Sequence, residues 1–205
     1  MTTVSDGAAP AGPSPAGPRS ARAERSRAAI AEAALELLRE GDTRPTAARV
    51  AERAGISERL IYHHFDDLEA LFEAVAEHQV RAVRDRQPPL PAGGPLDARI
   101  RAIVAARADM NEWITPVRRA SVVREPASAT LSANRAALNA GSRAQVAEVF
   151  APELAALPSE EADELLAALD LALSWPGWEA LRTRGCSIEQ ATRVVDRTVR
   201  ALLDA

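Results

Sequence analysis

Several residue types are scarce or missing in this sequence, and some of these absences exclude a class of protein. There is no lysine, so all 25 residues counted as Lys or Arg are arginines. The single cysteine, Cys186, rules out an intrachain disulfide and gives no sign of an oxidising compartment. No apolar run is long enough to span a bilayer, and the N-terminus lacks the charged-then-apolar pattern of a signal peptide. We therefore expect a cytoplasmic protein with no membrane partner.

The sequence also lacks the common catalytic and metal-binding patterns. It contains no glycine-rich phosphate loop, no G-x-S-x-G elbow and no H-E-x-x-H motif. His63 and His64 are adjacent, so on a helix they point about 100° apart and make poor joint metal ligands. Cys186 is predicted to be a small buried hydrophobic residue. The sequence thus predicts no catalytic residue, no metal, no cofactor and no enzymatic activity.

The charge of the chain argues against indiscriminate coating of nucleic acid, because the formal net charge is −4. Its distribution is uneven. Residues 1–64 hold nine arginines against eight acids, and residues 65–205 hold sixteen against twenty-one. This asymmetry permits a nucleic-acid partner for the N-terminal part without requiring one.

Aromatic residues make up only 3% of the chain, and alanine and leucine dominate instead. Both have high helix propensity, because they lose little side-chain entropy in a helix. Strict alternation of apolar and polar residues never persists, so no strand is predicted. We expect an all-α protein of about nine helices.

The chain is predicted to begin with an arm and four short helices. Residues 7–20 are rich in proline and glycine, which predicts a flexible arm over residues 1–20. Apolar periodicity and caps predict helices over residues 21–40, 46–54 and 57–64, and a fourth helix from Asp66 or Asp67.

A proline-rich break at residues 87–95 ends the fourth helix. Further helices are predicted over residues 96–113, 116–124 and 128–150, then from Ser159 and from Ser187, with an interruption at residues 175–177. We divide the chain into the arm, a first domain over residues 21–66 and a second over residues 67–205.

Side chains that cap helices mark several of these boundaries. Single N-caps are predicted at Thr46, Ser57 and Ser159. Capping boxes, in which the cap and the residue three positions later satisfy each other's backbone amides, are predicted for Asp66 with Glu69 and for Ser187 with Gln190.

The most informative segment is residues 46–65, TAARVAERAGISERLIYHHF. Its two short helices meet at Gly55, which permits the left-handed backbone that a tight turn needs. With Ile61 and Phe65 facing inward, helical periodicity turns one set of side chains outward. This set comprises Glu58, Arg59, Tyr62 and His63, with Leu60 at its edge.

The outward set suits duplex DNA. Arginine can bind guanine in a bidentate manner, glutamate can accept from cytosine, and an apolar side chain can contact a thymine methyl group. Tyr62 and the helix start at Thr46 can contact phosphates. On spacing alone, a solvated face on an ordinary helical hairpin has about equal weight, because this geometry is common in proteins that do not bind DNA.

A family resemblance favours DNA binding. The runs RAAIAEAALELL, T-x-x-x-V-A-x-x-A-G-I-S, I-Y-H-H-F and L-E-A-L resemble the N-terminal domain of TetR/AcrR transcriptional regulators. The resemblance covers residues 27–75 and implies an N-terminal three-helix helix-turn-helix DNA-binding domain, followed by a larger helical domain. It also implies that the helix opening at Ser57 is the recognition helix, with Ser57 itself among the DNA-binding residues.

The resemblance implies roles for individual residues. Thr46, Tyr62 and His63 would meet the DNA backbone, while Glu58, Arg59 and Leu60 would face bases. Two departures from the family pattern stand out. Leu68 replaces the usual phosphate-contacting lysine, and Arg59 with Leu60 replaces small residues, which would alter the sequence that is read.

Basic residues next to the arm are further candidates for DNA contact. Arg22, Arg25 and Arg27 could enter the minor groove or touch phosphate. A solvated helix start is an equally good interpretation.

Another interpretation of the helix-turn-helix also stays open. Leu68 and the negative net charge of the chain would fit a helical interaction module that no longer binds DNA.

For the second domain, the resemblance implies a small-molecule effector site and a homodimer formed through the helices starting at Ser159 and Ser187. Their leucine and valine stripes fit such an interface, or equally the core of the monomer. An effector site among residues 96–178 would be mostly apolar. Its candidate residues are Arg107, Met110, Trp113, Phe150, Trp175 and Trp178, with Asp109 and Asn111 as further polar anchors. The implied function is a repressor that a small effector releases from a near-palindromic operator.

Overall fold

The computed structural model describes residues 18–204, and these residues form ten α-helices and one short 3-10 helix. The α-helices are α1 Pro18–Arg39, α2 Ala47–Ala54, α3 Glu58–His64, α4 Leu68–Arg86, α5 Leu96–Val122, α6 Ala129–Val149, α7 Ala151–Ala155, α8 Ser159–Leu173, α9 Trp175–Thr183 and α10 Ile188–Leu203. The 3-10 helix is Glu125–Ala127. The predicted arm lies outside the described residues as far as residue 17, and α1 begins at Pro18 instead of residue 21.

The predicted all-α fold is confirmed, since the described residues contain helices and no strand. Among residues 18–204, no helix combines the length and the apolar character needed to cross a membrane. The helix count is ten where about nine were expected, because Ala151–Ala155 and Trp175–Thr183 form separate short helices.

Local side-chain caps explain several helix starts. The Thr46 hydroxyl accepts from the backbone N–H of Arg49 at 3.3 Å, as predicted. Ser187 and Gln190 form the predicted capping box. Ser57 and the residues around Ser159 supply no side-chain cap bond, and Ser159 is the first residue of α8 rather than its N-cap.

The predicted capping box of Asp66 with Glu69 is wrong. Asp67 is the N-cap of α4, and its carboxylate accepts from the N–H of Ala70 at 2.8 Å. This start puts Glu69 at the second helical position, one residue short of the position from which a side chain reaches back to the cap.

The predicted break between residues 113 and 116 is also wrong, because α5 continues through Pro116. Proline there removes one backbone hydrogen bond of the helix. Tertiary contacts hold the helix on both sides of it: Thr115 accepts from the Trp175 indole at 3.0 Å, and Val117 is buried in a hydrophobic core. The break expected from the local rule is overridden by these contacts.

Two hydrophobic cores organise the chain. The first lies among α1 to α4 and includes Val117 and Ala120 from the end of α5. The second is built from the start of α5 with α6, α8, α9 and α10, around Phe150 and Trp178. Helix α5 therefore runs from one core to the other, while α4 extends from the first core to the clefts beside α6.

Candidate DNA-binding surface

The helix-turn-helix is formed by α2, the turn at Gly55, and α3. Gly55 has φ +67°, and its N–H donates to the backbone carbonyls that end α2. Such a positive φ costs a residue with a side chain about 1–2 kcal/mol. Val50, Ile61 and Phe65 are buried against α1, so the opposite side of α3 is fixed to face solvent.

The outward side of α3 carries the side chains that the sequence predicted. Glu58, Arg59 and His63 are exposed, Tyr62 keeps 51% of its surface exposed, and Leu60 is half-buried at the edge. Five of the predicted residues border one shallow concave surface: Ser57, Arg59, Leu60, Tyr62 and His63. Thr46 is exposed at the N-terminus of α2.

The arginines of the helix-turn-helix differ in their surroundings. Arg49 pairs with Asp42 at 2.5 Å, and Arg53 pairs with Glu40 at 2.6 Å and Glu36 at 3.3 Å. The hydrogen bond from Arg53 lowers the pKa of Glu40 below its ordinary value. Arg59 has no ion pair or hydrogen bond with any residue between 18 and 204.

His64 contributes to the turn between α3 and α4 rather than to the exposed face. Its burial lowers its pKa below the ordinary value, and the electrostatic influence of His63 and Arg27 lowers the pKa further. The imidazole of His64 is therefore neutral at pH 7, which suits a half-buried position.

The three arginines of α1 that were candidates for DNA contact have different positions. Arg22 and Arg25 are exposed. Arg27 donates to the carbonyl oxygen of His64 at 2.5 Å, and its guanidinium lies 4.3 Å from the centre of the Phe65 ring. Arg27 thus holds α1 against the end of α3. Sequence reasoning had no signal for this role, because the partner is a backbone carbonyl 37 positions away.

Leu68 is half-buried and packs against the first core. The apolar side chain adds a small amount of buried surface at the first turn of α4.

Two neighbouring clefts lie beside the predicted effector residues, the smaller between α4, α5 and α6 and the larger bordered also by α8 and α9. Arg107, Met110 and Trp175 line the larger one, which has a volume of about 160 Å3 and which we call the Arg107 cleft. Phe150 and Trp178 instead fill the second core, and Trp113 lies beneath Arg39 and Arg86.

The two further polar anchors that were considered are engaged within the protein. Asp109 accepts from Arg86 at 2.9 Å, and the amide of Asn111 donates to the Leu173 carbonyl at 3.3 Å. Asn111 does line the Arg107 cleft, whereas Asp109 does not. Sequence reasoning missed Gln79, which lines the smaller cleft of about 40 Å3.

Together, the helices and this surface define an all-helical protein with an N-terminal helix-turn-helix. Residues 30–75 match the model of the family described as bacterial regulatory proteins, tetR family. Among curated proteins, the HTH-type transcriptional regulator BetI of Paraburkholderia phymatum is 37% identical over 86 residues, which are 40% of this chain and 43% of that protein. Its counterpart from Burkholderia mallei (strain NCTC 10229) is 39% identical over 75 residues, 35% of this chain and 38% of that protein. The aligned segments span less than half of either relative.

Similarity of fold extends over most of the chain. A tetR-family transcriptional regulator from Streptomyces coelicolor has a TM-score of 0.67 at 21% identity, covering 87% of this chain and 79% of that one. A transcriptional regulator from Rhodococcus sp. Rha1 has a TM-score of 0.65 at 21% identity, covering 89% of this chain and 96% of that one. Over residues 30–75 the chain therefore matches the TetR family of transcriptional regulators, and its fold resembles that of a solved regulator described as tetR-family.

Proposed function

We propose that this protein is a repressor that binds near-palindromic operator DNA as a homodimer and is released by a small molecule bound in its second domain. The observation that carries the DNA-binding part is the outward face of α3. Arg59 and Tyr62 project there without competing protein partners in the described part of the chain, while Ile61 and Phe65 fix the helix from behind. A short helix with such a face fits the major groove.

The proposed division of roles follows from position. Arg59, Glu58 and Leu60 read base edges, whereas Thr46, Ser57, Tyr62 and His63 contact the DNA backbone. Arg25 is exposed on α1 and is a candidate for an additional phosphate contact, while Arg27 acts mainly through Phe65. Because the bacterial chromosome lies in the cytoplasm, we also place the protein there.

The homodimer is proposed to form through α8 and α10. Leu169, Leu173, Val195 and Val199 on these helices are buried within one chain, so much of the predicted apolar stripe belongs to the monomer core. The outer faces retain apolar side chains, since Leu171 is 67% exposed and Val194 is 43% exposed.

Charge on these outer faces also favours self-association. The first turns of α8 carry an acidic set, Glu160, Glu161, Asp163 and Glu164, and α10 exposes Arg193 and Arg197. Neither set forms an ion pair within residues 18–204. A two-fold arrangement could place the acidic turns of one copy near the arginines of the other.

Release by an effector is proposed to act through α4. The first turns of α4 contribute Leu71, Phe72 and Val75 to the first core, and the following turns contribute Gln79 and Val83 to the clefts. A ligand that prefers a shifted α4 changes the separation of the two recognition helices. Coupling of this kind is typically about 1–3 kcal/mol.

The decisive experiment is selection of binding sites from random duplex DNA, followed by the same selection with Arg59→Ala. We expect a near-palindrome whose half-sites are about one helical turn apart. Arg59→Ala should lose roughly 1–3 kcal/mol of discrimination at one base pair in each half-site. Arg101→Ala is the matched control, because Arg101 is an exposed arginine on α5, far along the chain from α3.

Failure to enrich any sequence would reject the proposal and favour a helical interaction module. A selected sequence that Arg59→Ala leaves unchanged would reject the assigned role of Arg59 but keep the DNA-binding activity.

A further inference from the structure

Arg107 is a buried cation without a paired anion. It lies on α5 with only 7% of its surface exposed, and it forms no ion pair with any residue between 18 and 204. Within these residues it donates a hydrogen bond only from Nη2, to the Ser142 carbonyl oxygen at 3.0 Å. Burial lowers the pKa of Arg107 below its ordinary value, but a guanidinium still keeps its proton at pH 7. Because buried charges are nearly always paired, this side chain calls for an anionic partner.

One nitrogen of the Arg107 guanidinium is open to such a partner. Nε is enclosed and unpaired, so nothing from outside can reach it. Nη1 also lacks a hydrogen bond within the described part of the chain, but it is not enclosed. Since Arg107 lines the Arg107 cleft, Nη1 is the atom that a ligand in this cleft meets.

A carboxylate borders the same cleft. Asp170 on α8 is half-buried and lines the cleft, and its side chain has neither an ion pair nor a hydrogen bond with residues 18–204. Burial is the larger influence on the pKa of Arg107, and the charge of Asp170 opposes it. The two groups are thus near enough to interact, although they do not pair. The cleft presents one positive and one negative group to its occupant.

Both charged groups lie at one end of the cleft. Arg107 precedes Asn111 by one turn of α5, and Asp170 precedes Leu173 by one turn of α8. The amide of Asn111 donates to the Leu173 carbonyl at 3.3 Å, so the two charges stand at the same level. Further along α5, Ile114 lines the cleft about 10 Å from Arg107. The cleft therefore has a charged end and an apolar end.

These charges disfavour a ligand of a single charge. A simple carboxylate would pair with Arg107 but face Asp170, and a simple amine would pair with Asp170 but face Arg107. An uncharged molecule would leave the buried guanidinium unpaired. Size sets a second limit on the ligand. A cavity of about 150 Å3 holds a molecule such as benzene, so this cleft takes roughly six to nine non-hydrogen atoms.

We propose that the Arg107 cleft binds a small zwitterion with a short apolar side chain, of the kind represented by aliphatic α-amino acids. The ligand carboxylate accepts from Nη1 of Arg107, its ammonium group donates to the Asp170 carboxylate, and its side chain extends towards Ile114. Val83 of α4 lines the same cleft, so the ligand also contacts the helix that is proposed to act in release. Naming this molecule as the effector rests on the proposed function, whereas its binding does not.

The test measures binding calorimetrically on the full chain without DNA. The probes are leucine, valine and norvaline, each beside the matched acid without its amino group and the matched amine without its carboxylate. For leucine these are 4-methylpentanoate and 3-methylbutylamine. We expect an amino acid to bind at least about tenfold more tightly than both of its counterparts. If no amino acid binds, or if the acids or amines bind as tightly, the proposal is overturned.

Two variants then assign the binding to the two charges. Asp170→Asn keeps the size of the side chain and removes its charge. We expect it to weaken amino-acid binding by about tenfold and to strengthen binding of 4-methylpentanoate, because the repulsion of the carboxylate is gone. Arg107→Met should weaken the binding of both probes by about tenfold.

Asp85→Asn is the matched control, because Asp85 is an exposed aspartate on α4 that does not line the cleft. Equal effects of Asp85→Asn and Asp170→Asn on amino-acid binding would refute the assignment. So would an Asp170→Asn protein that still prefers the amino acid over the acid by the original factor.

The same titration with selected operator DNA separates this inference from the proposed function. An amino acid that binds the cleft yet leaves operator affinity unchanged upholds the ligand class and rejects release by this site. Operator binding with no amino-acid binding upholds the regulator and rejects the ligand class.

Discussion

Arg53 and Arg59 lie six residues apart on the same helix-turn-helix, yet their surroundings are opposite. Arg53 is held by Glu36 of α1 and by Glu40, which directly follows α1, while the side chain of Arg59 projects from α3 without a partner in the part of the chain that the structure describes. The sequence alone presents both as surface arginines. Only the approach of α1 to α2 distinguishes the structural arginine from the candidate reader of DNA.

Gly55 gives a prediction at the scale of one residue. Gly55→Ala should destabilise the protein by about 1–2 kcal/mol, because φ +67° is unfavourable for a residue with a Cβ. Urea unfolding measures the change. Gly141→Ala is the control: Gly141 lies within the helix α6, where alanine should stabilise by about 0.5–1 kcal/mol. Effects of the same sign at both sites would contradict this explanation.

Glu153 gives a prediction about pH. Arg99 is 4% exposed and donates to the Glu153 carboxylate at 2.5 and 2.8 Å, and this hydrogen bonding holds the pKa of Glu153 below the ordinary 4.5. A carboxyl whose pKa is lowered by folding stabilises the protein above its ordinary pKa. That stabilisation is lost as the pH falls through the lowered value.

We therefore expect Glu153→Gln to cost about 1–3 kcal/mol at pH 7 and progressively less below pH 4.5. Urea unfolding of both proteins across pH 3 to 7 measures this difference. A gap between the two proteins that stays constant, or widens, towards low pH would rule out the Arg99 interaction as its source. Glu148→Gln, an exposed carboxylate on α6, controls for the general effect of losing one charge.

At the scale of helices, local signals succeeded where the relevant contacts are local. The caps at Thr46 and Ser187 lie within three residues of the amides they satisfy, so the sequence contains all that decides them. Pro116 shows the opposite case. The local rule predicts a helix break there, but the packing of Val117 and the bond between Thr115 and Trp175 keep α5 continuous.

The two serines near the starts of α8 and α10 test the capping argument. Ser187→Ala should cost about 1 kcal/mol, because it removes the bond from the Gln190 N–H and breaks the capping box. Ser159→Ala should change stability by less than about 0.5 kcal/mol, because Ser159 makes no cap bond in the structure. Thermal unfolding of both variants measures the two changes in stability. An equal loss from the two would mean that Ser159 also acts as a cap.

At the scale of the whole molecule, α5 contributes to both cores, and α4 runs from the first core to the clefts. Phe72 of α4 contacts the Arg124 guanidinium, which lies 3.8 Å from the ring centre, and Ser128 donates to Glu73 at 2.5 Å. These contacts fasten the end of α5 and the start of α6 to the same turns of α4. The DNA-binding helices and the cleft walls therefore share one structural element.

Leu171 tests the proposed dimer. Leu171→Arg should weaken self-association at least about tenfold, because it places a charge in an apolar contact, and operator affinity should fall with it. Sedimentation velocity over a range of concentrations measures the first effect. Val123→Arg is the control, because Val123 is similarly exposed, at 65% against 67%, but lies at the end of α5. Dimers unaffected by Leu171→Arg, or lost equally in both variants, would place the interface elsewhere.

The sequence by itself determined the all-helical class, the helix-turn-helix and its outward residues, because periodicity, propensity and short-range caps act over a few residues. Tertiary structure decided what lies far apart in the chain: the support of Phe65 by Arg27, the continuity of α5 and the burial of Gln79 without a partner. Each depends on which helix faces which across dozens of residues. Composition and spacing do not determine which helices pack against each other, because that depends on contacts between residues far apart in the chain.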